Sequence, residues 1–436
     1  MNYEEALKYI MSVPAFSPKS IANGTEPFDL VSIKELLERL GNPQDSLKYV
    51  HIAGTNGKGS TSAYTAQILE ESGLTVGLYT SPFIERFTER IRVNGIEISG
   101  EDLARLTEKV AGIVEEMKRD GARLPSEYEI VSAIAFLYYK EKKCDIVVLE
   151  VGLGGRLDAT NIIKFPELAI ITTISFDHTE ILGDSLDKIA FEKAGIIKEG
   201  CDILVYPQTD EAESSIEKVA LKRNASLHRA VIPEKALSAD LNGQKFALDI
   251  NGREEIFETS LLGNYQINNA AIAIEAAYIL KNKGWNITDE AIKLGIKNTE
   301  WPGRFELLRK EPAFIIDGSH NDEGASVLVK SLQQYFPDKK IIFITGVLED
   351  KDYAHMMRRV IPLAKSFLTI TPPSPRALSA KALAEFLLKE NAPSAEAFDS
   401  IEEAVANAVR SAGKDDIICA FGSLYYIGIV RSLLRD

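Results

Sequence analysis

Short apolar runs separated by helical patterns are the feature that most constrains the fold of this chain. The runs are rich in β-branched residues and show no polar–apolar alternation, which is typical of strands buried on both faces of a parallel sheet. In the N-terminal part they cover residues 49–53, 74–79, 145–150 and 168–173. Amphipathic helical patterns lie between them, notably at 101–119, 127–142 and 184–198. The pattern predicts an α/β domain with a mostly parallel sheet.

The alternation is interrupted once and then restarts. Residues 226–260 consist of shorter alternating pieces and turns, which predict a small antiparallel annex. A domain boundary is expected near residues 298–303. Beyond it, apolar runs followed by helical patterns cover residues 313–316, 340–344, 366–370 and 416–420. We therefore expect two domains, residues 1–298 and 303–436, the second a compact α/β domain.

Length, charge and cysteine content narrow the class of protein. A chain of 436 residues exceeds what one hydrophobic core usually supports. The formal net charge of −14 argues against nonspecific nucleic-acid binding, which needs a basic surface. The first residues lack signal-peptide features, no run reaches the roughly 18 apolar residues that span a bilayer, and the three cysteines fit no metal spacing. We expect a cytoplasmic monomer without nucleic-acid or membrane partners.

The strongest local signal is a glycine-rich segment between a predicted strand and a predicted helix that runs through Leu69. The segment is Gly54, Thr55, Asn56, Gly57, Lys58, Gly59 and Ser60. Its glycines let backbone N–H groups approach phosphates, the helix N-terminus adds its positive end, and Lys58 contributes a mobile charge. The match to the usual phosphate loop is imperfect, because Ile52 stands where a glycine is usual and Gly59 where Ser or Thr follows the lysine. A glycine-rich turn without a ligand is the alternative, but three glycines around a lysine are costly unless the backbone must approach something.

A second glycine cluster, residues 152–158, also follows a predicted strand. It is not a dinucleotide-binding fingerprint, because Leu157 stands where the third glycine would be. By itself the cluster indicates only that the backbone comes close to another group.

Several short segments are informative as an ordered set along the chain. They are residues 51–60, 80–83, 89–92, 149–161, 177–178, 192–196, 302–305 and 317–321. Each alone is a weak signal, but the ordered combination is highly specific and extends from about residue 2 to residue 432. In this combination the chain resembles the folylpolyglutamate synthase and dihydrofolate synthase family, within the Mur-type ligases.

The resemblance implies an N-terminal P-loop ATPase domain and a C-terminal Rossmann-like domain, with the active site between them. It implies ATP and Mg²⁺, expected as two ions, as cofactors, and L-glutamate with a folate-type or dihydropteroate carboxylate as substrates. ATP would phosphorylate the carboxylate, and the amino group of glutamate would attack the acyl phosphate to form an amide. Because the acyl phosphate carries a good leaving group, catalysis becomes mainly positioning and charge stabilisation.

The resemblance implies Mg²⁺ ligands at Ser81, Glu150 and His178. Glu150 ends an apolar run, where a solvated carboxylate is not expected and a buried salt bridge is the alternative. Imidazole is an unusual ligand for Mg²⁺, and His178 taken alone indicates a helix cap or a core histidine. Lys193 is implied to carry a carbamate that holds a second Mg²⁺, whereas its local pattern indicates a solvated lysine or an ion pair with the preceding glutamate. With Lys58, the residues His178 and Lys193 form the implied catalytic set.

The resemblance adds nucleotide contacts outside the glycine-rich loop at Asn269, Arg304 and Asp317. Asn268 is adjacent, so the assignment to Asn269 is open by one residue. Arginine can pair with phosphate through two hydrogen bonds, and an aspartate at a strand end can accept from ribose or adenine. Taken alone, Arg304 is an ordinary surface arginine. His320 is expected to approach the nucleotide or the incoming glutamate, or alternatively to cap the following helix.

For the pterin-bearing substrate the resemblance implies two segments. They contain Tyr128, Glu129, Leu157, Asp158 and Ala159. Tyr128 stands where the family usually carries phenylalanine, and an aromatic ring there can stack on a pterin or aminobenzoate ring. The first segment fits the start of a core helix equally well, because apolar residues continue along one face.

Other function classes remain as alternatives. Another Mur-type ligase, acting on a UDP-linked sugar acid, is the nearest, but residues 80–83 and 89–92 and the glycine at position 59 resemble the folate branch. A small-molecule kinase would use the same loop but needs no second domain. A nucleotide-binding regulator would tolerate loss of the metal ligands, yet each expected ligand type is present. We therefore expect an ATP-dependent acid–amino-acid ligase, with the choice between dihydropteroate and reduced folate left open.

Overall fold

An eight-stranded sheet dominates the N-terminal part of the computed structural model, which describes residues 1–14, 29–250 and 252–435. Its strands are β1 Tyr49–Ala53, β2 Val76–Tyr79, β3 Ile91–Val93, β4 Ile96–Glu97, β5 Ile146–Glu150, β6 Leu168–Ile171, β7 Asp202–Val205 and β8 Ser226–Arg229. The spatial order is β4-β3-β2-β5-β1-β6-β7-β8, and only the β2–β3 and β3–β4 pairs are antiparallel. Every residue of β1, β2, β5 and β6 is buried, which explains their continuous apolar sequences.

The antiparallel annex is smaller than the sequence predicted. Strands β9 Ser238–Asp240, β10 Gly243–Ile250 and β11 Arg253–Thr259 form a three-stranded antiparallel sheet, as expected. The prediction was wrong for residues 226–229, which form β8 and pair in parallel with β7 in the large sheet. Because β8 is a partly exposed edge strand, its mixed sequence does not show the apolar run of a buried parallel strand.

Helices cover both faces of the large sheet and connect it to the C-terminal part. They are α1 Tyr3–Ser12, α2 Val31–Arg39, α3 Lys58–Glu71, α4 Gly100–Arg119, α5 Glu127–Glu141, α6 Thr179–Leu182, α7 Leu186–Ala194, α8 Asp210–Lys222, α9 Asn264–Asn282 and α10 Asp289–Asn298. The helix predicted at 184–198 is shorter than expected, because α7 spans only Leu186–Ala194 and Gly195 is its C-cap. None of the helices in the described ranges combines the length and apolar character that crossing a bilayer requires.

A six-stranded sheet forms the C-terminal part. Its strands are β12 Glu306–Lys310, β13 Ala313–Asp317, β14 Ile341–Thr345, β15 Ala364–Thr369, β16 Ala395–Ala397 and β17 Ile417–Phe421, in the order β12-β13-β17-β14-β15-β16. Its helices are α11 Asp322–Tyr335, α12 Tyr353–Val360, α13 Ala380–Lys389, α14 Ile401–Ser411 and α15 Leu424–Arg435. Only the β12–β13 pair is antiparallel. The predicted fold class, a mostly parallel α/β sheet with an annex followed by a Rossmann-like α/β domain, is confirmed.

Helix α15 packs directly against a loop of the N-terminal part. A Cβ atom on Gly428 would lie 1.9 Å from the carbonyl oxygen of Ile84, so only glycine fits at this crossing. Three residues farther along the helix, Nη1 of Arg431 lies 2.6 Å from Oε1 of Glu85, and both side chains are nearly buried. The loop that follows Ser81 is therefore held against the C-terminal helix.

Replacing Gly428 with alanine is expected to destabilise the protein by about 1–3 kcal/mol, because the added methyl group forces α15 away from Ile84. Thermal unfolding measures this as a lower Tm. Gly112→Ala is the matched control, since Gly112 is also helical, is exposed, and has nothing within 4 Å of the added Cβ. Without a clash, alanine in a helix should raise stability by about 0.5–1 kcal/mol. Equal Tm shifts for the two variants would contradict the packing argument.

Candidate active site

A cavity of about 500 Å³ lies at the carboxyl ends of the parallel strands. The large sheet contributes the segments that follow β1, β5 and β6, and the C-terminal sheet contributes the segment that follows β13. Parallel strands bring their carboxyl ends to one edge of a sheet, where α/β proteins bind ligands. The cavity lining therefore combines residues from both sheets.

The glycine-rich loop forms one wall of this cavity. Gly57 precedes the first turn of α3 with φ +86°, and Gly54 has φ +152°. A Cβ on Gly54 would lie 1.8 Å from Oγ1 of Thr172, and one on Gly57 would lie 2.6 Å from Oδ1 of Asn269. These close approaches explain both glycines, and they leave the N-terminus of α3 facing the cavity. Such a helix end offers free N–H groups and positive potential to an anion.

Two lysines meet at the carbonyl oxygen of Gly54. Nζ of Lys58 donates to the carbonyl oxygens of Gly54 and Thr55, both at 3.1 Å, and Nζ of Lys193 donates to Gly54 at 2.8 Å. Lys193 is 4% exposed. Burial and the nearby positive charge of Lys58 lower the pKa of Lys193 to about 7. The amine of Lys193 is thus easily neutralised near neutral pH.

The sequence pattern around Lys193 indicated either a solvated lysine or an ion pair with Glu192, and neither agrees with the structure. It is buried rather than solvated, and it does not pair with Glu192. Glu192 instead accepts from Nη2 of Arg156 at 2.9 Å and is not part of the cavity lining. The helix therefore directs the lysine into the cavity and the glutamate away from it.

Glu150 ends β5 inside the cavity and is 4% exposed. Its Oε2 accepts from the backbone N–H of Ser81 at 3.2 Å. Burial raises the pKa of Glu150 to about 7, against the opposing effect of Lys58. A buried carboxylate of this kind gains stability from a cation placed beside it.

His178 and Asp177 lie between the glycine-rich loop and the C-terminal part. His178 adopts φ +49° at the start of α6, but its side chain makes no capping hydrogen bond. Partial enclosure of its side chain, which is 36% exposed, and then the charge of Lys351 lower the pKa of His178 to about 4, so its imidazole is neutral. Burial opposes the ionisation of Asp177, but the positive charges near it, chiefly that of Lys351, outweigh this effect and hold the pKa of Asp177 well below its usual range. Nζ of Lys351 lies 2.7 Å from Oδ1 of Asp177.

Three side chains, those of Ser81, Glu150 and His178, fit a Mg²⁺ ion that takes most of its coordination from water or phosphate oxygens. Within residues 1–14, 29–250 and 252–435, no three His, Cys, Asp or Glu side chains form a cluster able to hold a metal. Mg²⁺ commonly takes only one or two carboxylates and keeps water or phosphate oxygens for the rest of its coordination shell. Glu150, the hydroxyl of Ser81 and the neutral His178 line the same cavity as the glycine-rich loop, which agrees with that mode.

The predicted nucleotide contacts line the same cavity. Asn268 and Asn269 both reach it from α9, with Nδ2 of Asn269 donating to Gln266 at 3.1 Å. Arg304 approaches so closely that a Cβ on Gly318 would lie 1.9 Å from Nη1 of the arginine. This arginine therefore lies in the cavity wall.

Asp317 ends β13 on the opposite wall, and His320 follows it. Asp317 is 4% exposed and accepts from the N–H groups of Phe305 at 2.8 Å and Ser319 at 2.9 Å. Nδ1 of His320 lies 2.8 Å from the carbonyl oxygen of Gly318, which fixes the proton on Nδ1 because a carbonyl only accepts. The lone pair of Nε2 is then the free acceptor. The cap of α11 is Asn321, not His320, since Oδ1 of Asn321 accepts from Gly324 at 2.8 Å.

The structure does not bring the predicted pterin-binding residues into the cavity lining. Among the described residues, Tyr128, Glu129, Leu157, Asp158 and Ala159 all lie outside that lining. Ser126 is the N-cap of α5, and its N–H donates to Oε2 of Glu129 at 2.7 Å. Asp158 accepts from the N–H of Leu153 at 2.8 Å and from the hydroxyl of Thr160. The Tyr128 ring lies directly behind Gly152, where a Cβ would come within 2.6 Å of it. Tyr128 and Asp158 therefore contact Gly152 and Leu153 of the cavity lining from behind.

Sequence reasoning missed several residues of the lining. They are Pro82, Thr173, Leu182, Tyr206, Asn264, Tyr265, Ser319, Asn321, Glu323, Lys330 and Gln334. Pro82, Ser319 and Asn321 lie within the recognised segments 80–83 and 317–321, so their positions could have been found. Glu323 and Lys351 carry no local signal, because their contacts come from another part of the chain.

Known families match both parts of the chain. The Mur ligase middle domain matches residues 52–277, and the Mur ligase glutamate ligase domain matches residues 303–424. The chain is 39% identical to a dihydrofolate synthase/folylpolyglutamate synthase of Bacillus subtilis (strain 168), over 94% of this chain and 96% of that protein. It is 36% identical to a folylpolyglutamate synthase of Lacticaseibacillus casei, over 100% of this chain and 99% of that protein.

Solved structures agree with these similarities. The apo form of the L. casei folylpolyglutamate synthase matches with a TM-score of 0.86 and 33% identity, covering 100% of both chains. A complex of folylpolyglutamate synthase with AMPPCP and folate matches with the same TM-score, identity and coverage. A Mycobacterium tuberculosis folylpolyglutamate synthase complexed with ADP and AMPPCP matches with a TM-score of 0.84 and 29% identity, over 94% of this chain and 96% of that one.

Proposed function

The chain belongs to the folylpolyglutamate synthase and dihydrofolate synthase family of Mur ligases, and we propose that it uses ATP to join L-glutamate to a folate-type carboxylate. One observation carries the proposal. A single cavity joins the glycine-rich loop and Glu150 of one sheet to Arg304 and Asp317 of the other. The relatives' complexes with AMPPCP and with folate support both substrates. The partners are then small molecules.

The reaction has two chemical steps. An oxygen of the folate carboxylate attacks the γ-phosphorus of ATP, and ADP leaves with the electrons of the broken P–O bond. The amine of glutamate then attacks the acyl carbon, and phosphate leaves as the amide forms and the amine loses a proton. Both steps develop negative charge on phosphate oxygens, so fixed positive groups accelerate them.

Lys58 and Arg304 supply that positive charge from opposite walls. Lys58 stands at the first position of α3, where its ammonium group and the helix N-terminus act on the same phosphates. Arg304 reaches the cavity from the segment before β12 and can grip phosphate through two hydrogen bonds. We assign the nucleotide to residues 54–60, Asn269, Arg304 and Asp317.

Ser81, Glu150 and His178 would hold Mg²⁺, which supplies charge neutralisation at the phosphates when it is bound. Glu150 contributes a carboxylate whose pKa is raised by burial. We also propose that Lys193 is carbamylated and then serves a second ion. Carbamylation requires a neutral amine, and the lowered pKa of Lys193 provides one near neutral pH.

We propose that His320 receives the proton from the attacking amine. The hydrogen bond to Gly318 holds the proton on Nδ1 and leaves Nε2 as the acceptor. Burial, and then Lys351, lower the pKa of His320 to about 4, so the imidazole is in its basic form at neutral pH. The pterin-bearing part of the substrate is assigned to the wall in front of Tyr128 and Asp158.

We further propose that the chain divides into an ATPase domain, residues 1–298, and a ligase domain, residues 303–436. The separate eight-stranded and six-stranded sheets support this division. So do the two family matches, which end at residue 277 and begin at residue 303.

Acceptor-dependent ADP release tests the proposed function. Purified protein with Mg²⁺, ATP and glutamate should release ADP when either dihydropteroate or tetrahydrofolate is added, and mass spectrometry should find a product heavier by one glutamyl residue. Omitting glutamate is the control, since no amide can form without it. Turnover with a UDP-linked sugar acid, and with neither pterin compound, would contradict the proposal.

A further inference from the structure

Asn56 lies in the middle of the glycine-rich loop. Both polar atoms of its side-chain amide form hydrogen bonds with the N-terminal end of α11. Its Nδ2 donates to Oε2 of Glu323 at 2.5 Å, and its Oδ1 accepts from Nδ2 of Asn321 at 3.2 Å. Glu323 lies in the first turn of α11, and Asn321 caps that helix. Asn56 and Glu323 are 267 residues apart in sequence. The loop therefore takes part of its order from the C-terminal part of the chain.

Glu323 makes a second contact across the same cleft. Its Oε2 also accepts from Oγ of Ser175 at 2.6 Å, in the segment that follows β6. Thr55, next to Asn56, is joined to the same segment, because Ser175 donates its N–H to Oγ1 of Thr55 at 3.1 Å. One carboxylate thus joins α11 to the glycine-rich loop and to the strand beside it. Hydrogen bonds to a charged acceptor are stronger than neutral ones.

We propose that Glu323 is a positioning residue for ATP. It orients Asn56 from the opposite side of the cleft, so that the glycine-rich loop is fully ordered for phosphate binding only while α11 is docked on it. The role of the loop in this argument rests on the proposed function. Glu323 itself acts through Asn56 and Ser175 rather than on the reacting atoms.

A neighbouring residue provides the matched control. Asp322 precedes Glu323 in the same helical turn, but its carboxylate accepts from Nη2 of Arg359 at 2.6 Å within the C-terminal part. Asp322→Asn therefore removes an acidic charge from the same turn without touching the cleft. Any effect that comes from the charge of α11 alone should appear in both variants.

The experiment compares Glu323→Ala, Glu323→Gln, Ser175→Ala, Asp322→Asn and the double variant of Glu323→Ala with Ser175→Ala. Steady-state kinetics yield the KM for ATP and the KM for glutamate, and hydrogen–deuterium exchange of the nucleotide-free protein reports on residues 54–60. Glu323→Ala should raise the KM for ATP about tenfold, with a smaller change in the KM for glutamate. It should also speed exchange in residues 54–60, and Asp322→Asn should change neither quantity. Glu323→Gln should fall between the wild type and Glu323→Ala, since a neutral amide oxygen can still accept one bond.

The double variant separates positioning from a general loss of structure. If Glu323 and Ser175 act through their shared hydrogen bond, adding Ser175→Ala to Glu323→Ala should cause little further change. Wild-type exchange in residues 54–60 of Glu323→Ala, or fully additive effects, would overturn the proposal. If Glu323→Ala does not fold, Glu323→Gln carries the same comparison. The exchange measurement needs no folate. If the protein proved inactive on folates, the proposed function would be wrong, but the exchange result would still decide whether Glu323 orders the loop.

Discussion

Replacing Lys58 with alanine is expected to lower kcat/KM for ATP by a factor on the order of 10²–10³ while the protein stays folded. The lysine is the side-chain cation at the start of α3, beside the glycine-rich loop. Without it, the charge that develops on the transferred phosphoryl group loses a fixed counter-charge. The lower kcat/KM for ATP should persist at saturating glutamate and acceptor, because the missing charge acts on the phosphates of ATP.

The fold should tolerate this change for a structural reason. Among the residues that the structure describes, Nζ of Lys58 donates only to the backbone carbonyls of Gly54 and Thr55. Those two carbonyls lie in a loop that Thr172 and Lys193 also hold, through Asn56 and Gly54 respectively. Circular dichroism and the Tm should therefore stay close to those of the wild type.

Lys58→Arg is the informative companion variant. Arginine keeps the positive charge but replaces a compact ammonium group with a broad planar one, which does not fit a loop shaped around lysine. We expect Lys58→Arg to bind nucleotide and to turn it over slowly. A native circular dichroism spectrum together with unchanged ATP turnover in Lys58→Ala would disprove the assignment of the loop.

The sheets could be predicted because doubly buried parallel strands have a distinctive sequence. All five residues of β1 and of β5 are buried, so polar residues are nearly absent from both. The edge strand β8 could not be predicted in the same way. Its side chains are partly exposed, and a mixed sequence of four residues fits an antiparallel edge equally well.

The site was predictable where its residues are contiguous in sequence. The glycine-rich loop and the segment after β13 each form one continuous part of the cavity lining. The contacts of Glu323 and Lys351 were not predictable, because each depends on how the C-terminal part meets a distant loop. The environment of Lys193 is a third case. Burial and the closeness of Lys58 lower its pKa, and neither cause can be read from the segment around it.

The resemblance alone does not distinguish side chains that contact the substrate from side chains that stabilise the structure around it. Glu129 and Asp158 lie in segments implied to bind the pterin-bearing substrate, yet both carboxylates accept local hydrogen bonds. Burial raises the pKa of each. These hydrogen bonds stabilise a loop and a helix end, and a contact of Glu129 or Asp158 with the substrate stays a prediction.

Replacing Lys193 with alanine is expected to remove most activity, by a factor on the order of 10²–10³, and added bicarbonate should not restore it. The side chain is buried in the cavity and donates to the same carbonyl as Lys58. As an ammonium group it would add positive charge beside Lys58. As a carbamate it becomes an anion that can hold a metal ion.

Labelled bicarbonate tests the modification directly. Carbon dioxide adds only to a neutral amine, and a lysine with its usual pKa is almost fully protonated at pH 8. Because the pKa of Lys193 is about 7, most of its amine is neutral at pH 8, and the neutral fraction falls as the pH drops through 7. Wild-type protein in ¹³C-bicarbonate should therefore show a carbamate signal in its NMR spectrum at pH 8 that weakens toward pH 6.

Lys198 provides the matched control for that signal. Burial lowers the pKa of Lys198 to about 8, so it too has an accessible neutral form, but its Nζ donates to the carbonyl oxygen of Asn161 at 2.9 Å outside the cavity lining. The carbamate signal should survive Lys198→Ala and disappear in Lys193→Ala, because Lys193, unlike Lys198, lies in the cavity where a metal ion can stabilise the anion. A signal that persists in Lys193→Ala, or full turnover by that variant, would exclude the modified lysine from the mechanism.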